Sequence, residues 1–118
     1  MSERFLPKQR IRQPHEIAQI LKQGKRISAG CFLFLYLKNQ KNYSFSRLGM
    51  IIAKKYCKLA VARNRLKRLI REQFRHHASK WTGFDVVVML RSPVAEQSDE
   101  TQQLWLKKSF KSQPNLSA

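Results

Sequence analysis

The stretch from Ala60 to His77 contains neither glycine nor proline and is built mostly from Arg, Lys, Leu, Gln and Glu, which are good helix formers. At about 100° per residue, Leu66, Leu69, Ile70 and Phe74 share one arc. Arg63, Lys67, Arg71 and Arg75 recur every fourth residue on another, with Arg68 beside them. A helix divided in this way must lay its apolar arc on a second layer and leave the cationic arc in water. This demands a sheet or helix pair for it to cover.

The flanking sequence supplies that layer. Pro14 suits a first helical turn, and His15 to Lys22 sets Ile17, Ile20 and Leu21 on one face, with Gly24 as a stop. Ile27 to Leu37 includes the nearly unbroken apolar run Cys31-Phe32-Leu33-Phe34-Leu35-Tyr36-Leu37, which predicts one strand. Asn39 to Asn42 reads as a turn, Tyr43 to Ala53 as a second strand around Gly49, and Lys54 to Leu59 as a basic loop. Asp85 to Leu90 predicts a buried strand, broken by Ser92-Pro93. Ser98-Asp99-Glu100 then opens a last helix whose Lys107, Lys108 and Lys111 lie near its end, as the helix dipole favours. The expectation is an α+β, two-layer sandwich with one small mixed sheet and three helices, in the order α-β-β(-β)-α-β-α. Residues 1–13 are expected as a basic N-terminal arm, 14–111 as a single domain and 112–118 as a flexible tail.

Charge defines the partner. The chain has 24 Lys and Arg against 7 Asp and Glu, a net charge of +17. No carboxylate occurs between Glu16 and Glu72, an interval with fourteen lysines and arginines. A surface that is merely solvated mixes signs, whereas a single-sign domain seeks a polyanion. A membrane surface would call for an amphipathic helix with Lys or Arg flanking a bulky apolar face, or a lipid anchor, and neither the start nor the end of the chain has that look. No stretch is long and apolar enough for a membrane span. Arg4, Lys8, Arg10 and Arg12 interrupt any signal-peptide core, so a cytoplasmic protein is expected. Cys31 and Cys57 lack metal-ligand spacing and read as reduced, apolar thiols.

From Arg63 to Arg75 the helix carries a net charge of +5. Successive turns place its cations about 6 Å apart along a line, a comb for backbone phosphates, and each guanidinium is a planar fork that can bind phosphate bidentately. Asn64 adds a donor–acceptor amide. Glu72, four residues after Arg68, is placed to pair with it. A protein nuclease would need paired carboxylates or an activated His. The acids show no such motif, and His76 and His77 read as helix-end residues. A ribosomal or nucleoid protein would share the charge without this residue order.

The runs Arg47-Leu48-Gly49-Met50-Ile51-Ile52-Ala53-Lys54-Lys55 and Arg63-Asn64-Arg65-Leu66-Lys67-Arg68-Leu69-Ile70-Arg71-Glu72-Gln73-Phe74-Arg75 resemble the signature of the bacterial ribonuclease P protein subunit, R-N-R-x-K-R-x-x-R-E-x-F-R, together with its upstream R-x-G and K-K elements. Every fixed place is filled. The resemblance implies a subunit without catalytic residues, in an enzyme whose RNA removes the 5′ leader of precursor tRNA with magnesium. Its partners would be the ribonuclease P RNA and precursor tRNA. No cofactor or metal site of its own and no obligate protein partner is expected. It implies RNA contacts by Arg63, Asn64, Arg65, Lys67, Arg68, Arg71 and Arg75, supported by Arg47, Lys54, Lys55 and Lys58. It further implies a left-handed crossover around this helix, and a cleft between the first helix and the sheet that receives the leader. The cleft candidates here are Ile17, Leu21, Phe34 and Tyr36, with Phe32 assigned to the core; alternating aromatics on a strand fit a core equally well. Where that family often has phenylalanine on the first helix, this chain has aliphatic side chains.

Overall fold

The computed structural model describes residues 7–39, 43–93 and 99–111. Residues 1–6 of the expected arm, residues 40–42 of the expected turn, the start of the last helix at Ser98 and the expected tail from Ser112 lie outside the described residues. Helix α1 spans Pro14–Gln23, strands β1 Lys25–Ala29, β2 Phe32–Lys38 and β3 Arg47–Ile51, helix α2 Ala60–His77, strand β4 Phe84–Leu90 and helix α3 Asp99–Lys111. Short 3-10 turns cover Pro7–Gln9 and Ala78–Trp81. The sheet order is β1-β2-β4-β3. β1 pairs antiparallel with β2, β2 antiparallel with β4, and β3 parallel with β4. The fold is the expected α+β sandwich, and β3-α2-β4 is its parallel crossover unit.

The single strand expected over Ile27–Leu37 is instead a hairpin. Gly30 turns the chain with φ of +59°, and Ala29 comes opposite Phe32. A left-handed φ is open to glycine at no steric cost. The Trp105 ring also closes over this site, so that a Cβ there would lie 2.3 Å from a ring carbon. The expected strand Tyr43–Ala53 is shorter, and only Arg47–Ile51 joins the sheet.

Both faces of the sheet are covered, which is why β2 and β4 are nearly continuous apolar runs. On one face Phe32, Phe34, Tyr36, Leu48, Val86, Val88 and Leu90 meet Leu66, Ile70 and Phe74 of α2 and Leu106 and Phe110 of α3. The Phe34 and Phe110 rings meet edge to face at 4.8 Å, as do Tyr36 and Trp81 at 5.2 Å. The Trp81 indole N–H donates to the Phe110 carbonyl at 2.8 Å, tying the end of α2 to α3. On the other face Leu33, Leu35 and Val87 lie under Ile20 of α1 and Ile11.

The N-terminal segment, expected as an arm outside the domain, packs onto it from Pro7. Arg10 bridges Leu48 in parallel, and the Ile11 N–H donates to the Leu48 carbonyl at 3.0 Å. Ile11 is buried beside Gly49. This contact occupies part of the outer edge of β3, whose unpaired backbone groups would otherwise be exposed.

Candidate nucleic-acid interface

Helix α2 is positioned by its buried stripe of Leu66, Ile70 and Phe74, and everything else on it is presented relative to that stripe. Asn64, Arg65 and Arg68 are exposed, while Arg63, Lys67, Arg71 and Arg75 are half-buried along the flanks. Its first turn has no acid, so the partial positive charge of the helix start is uncompensated. The preceding loop folds back by hydrogen bonds from Tyr56 N–H and Cys57 N–H to the Ala53 carbonyl, at 3.1 and 3.2 Å. Buried Cys57 anchors it, and Lys54, Lys55 and Lys58 remain exposed. Lys55 extends over the Tyr56 ring at 4.9 Å.

Arg63 fixes this loop. Its Nη1 donates to the carbonyls of Cys57 at 3.0 Å and Lys58 at 2.8 Å. The sequence placed Arg63 among the phosphate-binding groups; in the structure one arm of its fork is committed to the backbone, where it braces the end of the loop that carries the three lysines.

The N-terminal segment contributes a residue that sequence reasoning missed. Arg71 is held below the usual arginine range, first by burial and then by the charges of Arg10 and Arg68. Arg10 therefore belongs to the cationic flank of α2, although it lies far from it in sequence. The alternation of Ile11 and Arg10 was the available signal, since a segment that buries Ile11 on the α1 face of the sheet turns Arg10 the other way. Guanidiniums that crowd one another in the isolated chain form a site whose complement is an anion.

Two expectations fail here. Arg47 is not part of the basic surface. It is 6% exposed and binds Asp85, its register neighbour on β4, and Glu16 of α1 at 2.7 Å. Asp85, then Glu16, holds the Arg47 guanidinium above its usual range against the opposing effect of burial. The Asn39 amide donates to Asp85 Oδ1 at 2.9 Å, and the Arg47 guanidinium lies over the Tyr43 ring. A charge on a sheet face covered by α1 must find acids there, and Arg47 does. Glu72 pairs not with Arg68 but with Arg75 and with His76, the latter at 3.1 Å. Arg68 lies beside Glu72 along the same groove and is not its ion-pair partner. Arg75 lowers the Glu72 carboxyl below its ordinary range, with His76 adding to the effect.

The cleft candidates separate onto opposite faces. Ile17 and Leu21 are half-buried on the α1 face, beside Leu37, Ile51 and Met89. Phe34 is 0% exposed, and buried Tyr36 packs with it among the rings under α2 and α3. Neither can line a cleft beneath α1. Strand side chains alternate, so Leu33, Leu35 and Leu37 face α1. The sequence could not fix this parity because both faces of β2 are apolar.

Among the described residues no three His, Cys, Asp or Glu side chains gather as metal ligands, and no helix is long and apolar enough to cross a membrane. Cys31 and Cys57 are buried free thiols, and burial pushes the Cys31 thiol up. His77 contacts the Gln73 carbonyl within its own helix.

The family model Ribonuclease P matches residues 5–113. The chain is 38% identical over 98 residues to the ribonuclease P protein component of Thermotoga maritima, covering 82% of this chain and 81% of that protein. To the protein of the same name from Pseudomonas aeruginosa it is 50% identical over 62 residues, 52% of this chain. That match spans only 46% of the Pseudomonas protein, about half its length. The fold superposes on the Staphylococcus aureus RNase P protein with a TM-score of 0.77 at 31% identity, covering 87% of this chain and 93% of that one. For the Thermotoga maritima RNase P protein the TM-score is 0.71 at 34% identity, with 86% and 94% covered. By its matched length, its fold and the filled helix motif, this chain belongs to the ribonuclease P protein family.

Proposed function

We propose that the chain is the non-catalytic protein subunit of a ribonuclease P, binding the enzyme's RNA through α2 and assisting removal of the 5′ leader from precursor tRNA. The observation that carries this reading is the crowding of Arg10, Arg68 and Arg71 on one surface, continued by Arg65 and Lys67 and by the loop lysines 54, 55 and 58. Repulsion between these groups is relieved when RNA phosphates intervene, and counterion release adds to the affinity. The leader has the α1 face available, where Ile17, Leu21, Leu37, Ile51 and Met89 form a partly exposed aliphatic strip. Lacking rings, that strip offers apolar contact rather than base stacking.

Among the described residues the donor set does not fit a divalent ion on the protein. Glu16 and Asp85 are engaged by Arg47, and Glu72 by Arg75 and His76. We therefore assign magnesium to the RNA. The contribution of the protein would be electrostatic: a charge of +17 offsets phosphate repulsion where leader and RNA crowd together, and lowers the magnesium concentration needed.

The test is precursor-tRNA cleavage at low magnesium by a bacterial ribonuclease P RNA, with and without the protein. Rescue of cleavage by a protein that is inert alone is expected. An unchanged magnesium midpoint would sink the proposal.

A further inference from the structure

We infer that the groove between α2 and α3 is a pocket for a single unpaired guanine of an RNA. The inference rests on the RNA-binding reading above and adds which base is read, and where. The groove encloses about 310 Å³ and is walled by Arg65, Arg68, Leu69 and Glu72 of α2 and by Gln102 and Gln103 of α3. That volume lies at the small end of ligand pockets, about 300 Å³, and suits one nucleotide rather than a duplex. The α2 residues that line it fall on the flank facing α3. Arg68 is shared with the cationic surface around Arg71, so the groove borders the phosphate comb and opens on its α3 side.

Its chemistry is more selective than that of the comb. Unpaired RNA bases are recognised by stacking on flat groups, including guanidinium planes, and by hydrogen bonds to their edges. Half-buried Leu69 gives an apolar wall, and Arg65 and Arg68 give planar cations. Guanine carries adjacent donors, N1–H and N2–H, on one edge and the acceptors O6 and N7 on another. An arginine fork is the usual donor to O6 and N7. An ionised carboxylate, which only accepts, complements N1–H and N2–H. Glu72 supplies an acceptor in Oε2, because its contacts with Arg75 and His76 both fall on Oε1, and Arg75 favours the ionised group. The exposed Gln103 amide can donate and accept. Adenine would turn its N1 lone pair toward the carboxylate. Uracil offers one N–H there, and cytosine offers N4–H beside an acceptor.

The test is a nitrogen–proton NMR titration of the full chain with GMP, AMP, CMP and UMP. GMP should shift the Gln102 and Gln103 side-chain amides saturably, with an apparent Kd tighter than that of AMP by about fivefold or more, the discrimination of one good bidentate contact. Glu72→Gln, at a half-exposed site, should erase that preference while leaving the weak phosphate binding common to all four nucleotides. Gln103→Ala, also at an exposed position, should weaken GMP more than AMP. Equal affinities for the four nucleotides, or shifts confined to Arg63, Lys67 and Arg71, would overturn the pocket. The RNA-binding reading is scored separately by the low-magnesium cleavage assay, so that rescued cleavage without guanine preference removes the pocket alone.

Discussion

Arg47 grips Asp85 through two parallel hydrogen bonds, Nε to Oδ1 at 2.9 Å and Nη2 to Oδ2 at 2.7 Å. The two residues are register neighbours on parallel strands β3 and β4, and Nη2 also reaches Glu16 of α1. One side chain thus fastens the sheet to the helix that covers it. Removing one partner of a buried ion pair strands the other, at about 3–5 kcal/mol. Arg47→Met should therefore cost about 3 kcal/mol or more in urea denaturation. Arg47→Lys, which keeps the charge but loses the fork, should cost less. The double variant Arg47→Met/Asp85→Asn should lose less than the two single changes added together, because the pair is coupled.

Arg63 and Arg68 lie on the same helix but should fail in different ways. Arg68 is exposed, so Arg68→Ala should change stability by no more than about 0.5 kcal/mol. It should weaken RNA binding and reduce the slope of log affinity against log salt by about 1. Arg63→Ala removes two hydrogen bonds to loop carbonyls. It should cost about 1–3 kcal/mol of stability and weaken RNA binding as well, by loosening the loop that carries Lys54, Lys55 and Lys58. Equal stability of the two variants would contradict the bracing role given to Arg63.

The contrast between these arginines marks how far the sequence could be read. The bounds of α2, its buried stripe and its cationic face follow from periodicity alone, and the observed helix starts and ends where the pattern predicts. Local spacing says nothing about which cations tertiary structure will claim. Arg47 has the same formal charge as Arg68 and is buried, because β3 lies beside Asp85 and beneath Glu16. Arg10 reads as part of a loose arm and joins the interface through a single bridge to Leu48. The hairpin at Gly30 is hidden inside an apolar run, and only the left-handed φ and the Trp105 ring explain that glycine. The parity of β2 is lost for a related reason: when both faces are apolar, alternation carries no direction, and Phe34 and Tyr36 go to the core.

Glu72 gives a pH-dependent readout. Its carboxyl is held below the ordinary value of 4.5, chiefly by the hydrogen bond from Arg75, against an opposing desolvation, with the Arg75 charge and His76 adding to the effect. A carboxylate whose folded pKa is depressed stabilises the fold above its unfolded pKa and loses that contribution as pH falls through the folded value. Between neutral pH and about 5 the Glu72 contribution should be constant, and it should decline below that. Carboxyl NMR should place the Glu72 midpoint below that of an unperturbed glutamate, and Arg75→Gln should return it toward 4.5. Because the pair is exposed, the change in overall stability should be small.

The cluster of Arg10, Arg68 and Arg71 sets stability against function. Burial and two neighbouring cations disfavour the charged form of Arg71, so the free protein carries a repulsion that a bound polyanion would relieve. Arg71→Gln should raise the Tm of the isolated chain at low salt. The gain should shrink as ionic strength approaches 0.1 M, where the screening length falls to about 10 Å. The same variant should bind RNA more weakly, with a salt slope reduced by about 1. Added polyphosphate should stabilise the unmodified chain more than Arg71→Gln, since a ligand that binds only the folded state raises its stability by mass action. If Arg71→Gln lowered the Tm at low salt, or left the salt slope unchanged, Arg71 would be a packing residue, and the interface would have to be redrawn around Arg65, Arg68 and the loop lysines.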